Sequence, residues 1–200
     1  MKKEKILKIL LGKIGDIGIQ NLDSANVLSI IGISQKQFNM LFSDGAEQLL
    51  MDSIEYAGCQ WLDHLKKDVK EAESKTEKIA LVLNGYALGA EKFSENLSLY
   101  IDLWKMVKDG KHEYLKNRLD KIYEMYSREF AEIMDNIGVG WLTKEEIYVW
   151  GVLMTALSDA IHIQFFTMKN SVDFMKIQHF IGKVSKTILP LLEERGKEMV

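Results

Sequence analysis

Gln35, Lys36, Gln37 and Asn39 fall within five consecutive positions, and their side chains suit the reading of nucleic-acid bases. An amide offers a donor and an acceptor side by side, which matches the major-groove edge of adenine, and a lysine suits guanine. Such side chains reach bases only if the helix carrying them stands clear of its neighbours. The residues just before them provide for that. Gly32 can take the left-handed backbone of a tight inter-helix turn at little cost, because it has no Cβ. Ser34 and Gln37 have the spacing of a capping box, which specifies locally where the outer helix begins. A first helix from Lys3 to about Ile17, closed at Gly18, and a short second helix after Asp23 complete a helix-turn-helix head over residues 1–45. Two helices joined tightly at a steep angle leave the second free to enter a major groove. Lys3 and Lys5 lie in an arm and first helix that could run along phosphates.

These stretches carry a family resemblance. Residues 5–18 (K-I-L-K-I-L-L-G-K-I-G-D-I-G) are similar to the opening helix of the TetR family of transcriptional regulators. Residues 27–34 (V-L-S-I-I-G-I-S) resemble that family's second helix and turn, I-A-x-x-A-G-V-S. Residues 38–42 (F-N-M-L-F) stand where the family shows L-Y-x-x-F, and residues 42–49 (F-S-D-G-A-E-Q-L) resemble its variant F-P-G-G-K-E-x-L at the start of the fourth helix. The chain departs from the pattern at several positions. Asn39 replaces a tyrosine and Ala46 a lysine, both of which reach DNA phosphates in the family. Lys36 and Gln37 replace a small residue and a threonine, and Leu28 and Ile31 replace alanines at tight packing points. The resemblance implies an all-α fold of about nine helices, with the DNA-binding head followed by a ligand-binding and dimerisation body over residues 46–200. It further implies a homodimer on a palindromic DNA operator, acting as a repressor that a small apolar or aromatic effector releases.

Composition is compatible with this reading. The chain is 47% hydrophobic with a single proline, which favours a large, almost wholly helical core. Net charge is −3, but the first fifty residues hold six lysines against five acids, and five of those lysines lie within the first thirteen positions. That is a thin basic footprint for a DNA binder. No run reaches the roughly 18 uncharged apolar residues of a membrane span. Lys8 and Lys13 interrupt the first apolar stretch, which argues against a signal peptide. The lone Cys59 excludes an intramolecular disulfide framework and fits a reducing cytoplasm.

Helical periodicity organises the body. Capping boxes at Ser74/Glu77 and Thr143/Glu146 open two of its helices; Asp109-Gly110, Ile137-Gly-Val-Gly140 and Asn170-Ser171 interrupt the pattern. Pro190 should kink the final helix. The last two helices are the expected dimer surface. One carries Val152, Leu153, Ala156, Leu157, Ala160 and Ile161, and the other Phe180, Ile181, Val184, Ile188, Leu189 and Leu192.

Candidate effector-binding residues are Trp61, Tyr86, Tyr100, Trp104, Tyr123, Tyr126, Phe130, Trp150, Met154 and His162. Aromatic walls with a few hydroxyl, indole and imidazole groups suit an apolar ligand, although the same stripe at helical spacing also describes plain core. A pocket between the fourth and seventh helices, walled by Trp61 and Trp104, is where a ligand could act on the head. No arginine cluster is present to clamp a phosphate. Asp159 and His162 share a helix face, but two ligands are too few for a metal site. No phosphate loop, nucleophile elbow or zincin motif occurs, so the sequence calls for neither enzymatic activity nor a cofactor. The competing function is a dimeric ligand-binding or protein-interaction module whose head has degenerated, motivated by Asn39, Ala46 and the weak basic balance.

Overall fold

The structure, a computed structural model, describes residues 2–17, 24–88, 97–110, 112–167 and 173–187; for residues 14–17, 24, 88, 97–100, 162, 165–167 and 174 it describes the backbone alone. The regular structure of these residues is α-helical throughout. In chain order the helices are α1 (Lys3–Ile17), α2 (Ser24–Ile31), α3 (Gln35–Leu41), α4 (Gly45–Glu71), α5 (Lys75–Leu88), α6 (Leu97–Lys108), α7 (Glu113–Ile137), α8 (Lys144–Thr167) and α9 (Phe174–Thr187). The expected stop at Gly18, the break at Asn170-Ser171, the kink at Pro190 and the apolar Ile188, Leu189 and Leu192 lie outside the described residues.

Local chemistry fixes several helix starts. Ser34 Oγ accepts the Gln37 N–H at 3.3 Å, and the Ser34 N–H donates to Gln37 Oε1 at 3.3 Å, so both halves of the capping box form. Thr143 and Glu146 do the same for α8, at 3.2 and 2.8 Å. At α5 the box is shifted. Ser74 Oγ accepts the Glu77 N–H at 3.1 Å, but the Glu77 carboxylate reaches back to the N–H of Glu73. Each cap satisfies backbone donors that a helix start otherwise leaves without partners.

The chain forms two compact units, residues 1–60 with 93–122 and residues 61–92 with 123–200, so α4 and α7 contribute to both. These units follow packing; the expected division at residue 45 is one of roles.

The first unit contains α1–α3. Its buried residues include Ile6 and Leu10 of α1, Val27 and Ile31 of α2, Phe38 of α3, and Leu49, Leu50 and Ile54 of α4. Phe38 and Phe42 pack with ring centres 5.4 Å apart and planes tilted by 42°, and α1 rests on α2 and α6. Full burial of such a side chain contributes about 1.5–3 kcal/mol. Gly32 adopts φ +69° between α2 and α3, the left-handed turn expected of it.

In the second unit α5 packs on α8 and α9. Its core gathers Leu62, Leu65 and Val69 with Val82, Tyr86, Phe130, Met134, Met154 and Ile161. At Gly151 the backbones of α7 and α8 approach closely. A Cβ there would stand 2.7 Å from the Ser127 carbonyl oxygen, so only glycine fits without a shift.

Candidate functional site

The seven-residue α3 is anchored on one side by Phe38, which is 1% exposed. At 3.6 residues per turn, Lys36 and Met40 point away from that anchor, and Asn39 lies about 100° round from it with Gln35 on the same side. All four are exposed. Gln35 Nε2 donates to Asn39 Oδ1 at 2.7 Å, which joins two of the expected base-reading residues into one unit. Gln37 lies further round the helix, and its amide oxygen serves the Ser34 cap. Sequence reasoning passed over Met40, although it is the apolar residue of α3 that does not fall in line with Phe38, Leu41 and Phe42.

The two N-terminal lysines differ in their surroundings. Lys5 is exposed. Lys3 places its ammonium 2.8 Å from Asp52 Oδ2 and 5.5 Å from the centre of the Phe42 ring. Glu4 accepts the Tyr56 hydroxyl at 3.0 Å and pairs with Lys8 at 3.2 Å, which holds its carboxyl below the usual range. Lys3 and Glu4 therefore fasten α1 to α4, and a phosphate would have to compete with Asp52 for Lys3. From α7, Arg118 reaches Asp52 at 2.9 Å and Glu55 at 2.5 Å, and just before that helix His112 Nδ1 meets Glu47 Oε1 at 2.7 Å. Asp52 thus holds one cation from α1 and one from α7. The sequence shows nothing of this, because the partners are more than forty positions apart.

In the second unit the expected effector residues divide. Trp61, Tyr86, Tyr126 and Phe130 form one edge-to-face cluster, with ring centres 5.0–5.6 Å apart. The Tyr86 hydroxyl donates to the Tyr126 carbonyl oxygen at 2.7 Å, and burial pushes its pKa well above the usual range. Met154 is buried in the same core. The Tyr123 hydroxyl donates to Asp159 Oδ2 at 2.8 Å. Burial raises the Asp159 pKa to about 6, against the opposing effect of that hydrogen bond. Trp150 does not join the cluster. It is 45% exposed and shares a shallow groove at the start of α8 with Leu142, Val149 and Leu153. Trp104 is half-buried on α6 of the first unit. Tyr100 lies on α6 and His162 on α8, where their side chains are outside the described residues.

The α8 residues expected at a dimer surface are mostly exposed. Val149, Val152, Leu153, Ala156, Leu157 and Ala160 form a continuous apolar stripe at three- and four-residue spacing. Ile161 departs from the expectation, since it is buried within the unit. On α9, Phe180 is 65% exposed, whereas Ile181 and Val184 are half-buried. None of the helices among the described residues is long and apolar enough to cross a membrane.

No family model matches the chain, and no curated protein matches it in sequence. Solved structures match it in fold. A protein of Rhodococcus sp. assigned to the TetR family of transcriptional regulators aligns with a TM-score of 0.72 at 16% identity, over 94% of this chain and 97% of that one. The fatty acid degradation regulator FadR of Bacillus halodurans aligns at 0.70 and 12% identity, over 94% and 95%. The transcriptional regulator FadR of Bacillus subtilis, solved in complex with stearoyl-CoA, aligns at 0.67 and 14% identity, over 93% and 98%. Likeness at such identities is a likeness of fold, and the fold of this chain is that of the TetR-family transcriptional regulators.

Proposed function

We propose that this chain is a homodimeric, ligand-responsive DNA-binding regulator that represses until a small apolar effector releases it. The observation that carries the reading is α3. It is a short helix set off by the Gly32 turn and the Ser34 cap, anchored by Phe38, with Gln35, Lys36, Asn39 and Met40 exposed. Residues 1–45 act as the reading head and residues 46–200 as the sensing and dimerising body. Lys36 and Lys5 supply phosphate contacts, Gln35 and Asn39 base contacts, and Gln37 holds the helix start. Lys3 contributes only where a phosphate displaces it from Asp52.

Dimerisation uses the exposed α8 stripe together with Phe180. A contiguous apolar surface of this kind marks an association site. A two-fold dimer places two heads on half-sites about one helical turn apart, as a palindromic operator requires.

The effector site is assigned to the second unit, with Trp61, Tyr126, Phe130 and Met154 as its apolar wall and the Tyr123–Asp159 pair as its polar end. The aromatic cluster is close-packed, so entry of a ligand must separate these rings, and that displacement is what could bias the head between two arrangements. The stearoyl-CoA bound by the Bacillus subtilis protein makes long-chain acyl compounds the first to test. Footprinting on the DNA flanking the gene should show two-fold symmetric protection that an effector abolishes. Protection of no site, with the dimer intact, would instead leave a ligand-binding module without DNA-reading activity.

A further inference from the structure

Resting on the DNA-binding reading above, we infer that α3 selects adenine–thymine pairs, with Gln35 and Asn39 reading adenine as one composite amide and Met40 contacting a thymine methyl. The hydrogen bond from Gln35 Nε2 to Asn39 Oδ1, 2.7 Å long, uses one donor of the first residue and one acceptor site of the second. It leaves the Gln35 oxygen and the Asn39 amide group wholly free to meet a base, with one Gln35 N–H and one Asn39 lone pair also unused. Exchanging both amides leaves the same complement, a free oxygen on one residue and a free amide group on the other, because one side chain still donates to the other. Adenine offers an acceptor at N7 and a donor at N6 on its major-groove edge. Guanine offers two acceptors and would set one against the free amide oxygen. The pairing also restrains two side chains before any DNA arrives, which lowers the entropy lost on binding.

Met40 supplies the second half. It is 77% exposed and, among the described residues of the first unit, the one large hydrophobic that is mainly exposed. Exposure alone decides nothing, since isolated surface hydrophobics are common. Its position decides. Met40 lies one turn after Lys36 and next to Asn39 in the chain, opposite the Phe38 anchor of the helix that carries the amide pair. The thymine C5 methyl is the single apolar group on the major-groove edges of the bases. Thymine is also adenine's partner, so one pair or two neighbouring pairs satisfy both contacts.

The test uses the full chain. Wild-type protein selects duplexes from a randomised pool, and each thymine of the enriched half-site is then replaced by deoxyuridine, which keeps pairing and removes the methyl. At one position the replacement should weaken wild-type binding about fourfold, the value of one buried methyl-sized group. Met40→Ala should be indifferent there, and Met40→Leu should keep the sensitivity. Gln35→Ala and Asn39→Ala should relax the same neighbouring adenine. Equal uracil sensitivity in wild type and Met40→Ala at every position, or guanine–cytosine pairs at the selected positions, overturns the inference while the DNA-binding reading stands. Failure to enrich any duplex, with no salt-dependent binding, overturns both.

Discussion

Replacing Asp159 by asparagine should stabilise the protein at neutral pH and leave it almost unchanged in mild acid. The carboxyl is held in the second unit by the Tyr123 hydroxyl at 2.8 Å, and burial raises its pKa from an ordinary 3.8 to about 6. The native state therefore keeps this proton at pH values where the unfolded chain has lost it. The resulting stability is fully present below the ordinary value, declines as pH rises to about 6, and is gone above it. At roughly 1.4 kcal/mol per pH unit, burying the ionised form costs the native state about 3 kcal/mol at neutral pH. An asparagine at this position would carry no charge, and its amide oxygen can still accept the Tyr123 hydroxyl. Urea titrations of both proteins at pH 4 and pH 7.5, read by circular dichroism, isolate the effect because every other carboxyl is common to the two. The variant should gain up to about 3 kcal/mol at pH 7.5 and lie within about 0.5 kcal/mol of wild type at pH 4. Equal or lower stability of Asp159→Asn at pH 7.5 would refute the reasoning.

Three further substitutions probe the packing. Gly151→Ala places a Cβ 2.7 Å from the Ser127 carbonyl oxygen and should cost about 1–3 kcal/mol in urea unfolding, whereas the same change at Gly140, where nothing stands near, should not strain the core. Leu153→Glu puts a charge in the centre of the exposed α8 stripe; light scattering should show monomers at micromolar concentration, and an unchanged dimer would remove α8 from the interface. Arg118→Ala leaves Asp52, 11% exposed, with Lys3 alone, and should lower stability by about 1–3 kcal/mol in low salt.

Local signals were legible in the sequence, and long-range ones were not. Gly32 and the boxes at Ser34 and Thr143 act within four residues, so residue type and spacing carried their geometry directly. The phase of α8 was harder to read. That helix is apolar on most faces, and periodicity could not say that Ile161 turns inward while Val149 and Trp150 turn out. Trp150, expected among the effector-binding residues, lies on an exposed face and lines the groove at the start of α8. Trp61, Tyr86, Tyr126 and Phe130 stand among the expected effector-binding residues, but their edge-to-face closure depends on α4, α5 and α7 meeting. The amide pair of Gln35 and Asn39 is an i, i+4 contact within reach of sequence reasoning, yet it becomes meaningful only once Met40 is seen beside it. The bridge from Lys3 through Asp52 to Arg118 joins residues whose proximity only the fold creates.

The most direct test of the central claim is the salt dependence of binding between the full chain and the DNA flanking its own gene, followed by fluorescence anisotropy. Each phosphate neutralised contributes a slope of roughly −0.9 in log affinity against log salt. Two Lys36 side chains in a dimer should therefore account for a slope of about −1.8, which Lys36→Ala removes. Affinity that falls steeply with salt, and less steeply in the variant, is the result this account predicts. Absence of binding at low salt, or a slope that Lys36→Ala leaves unchanged, would contradict it.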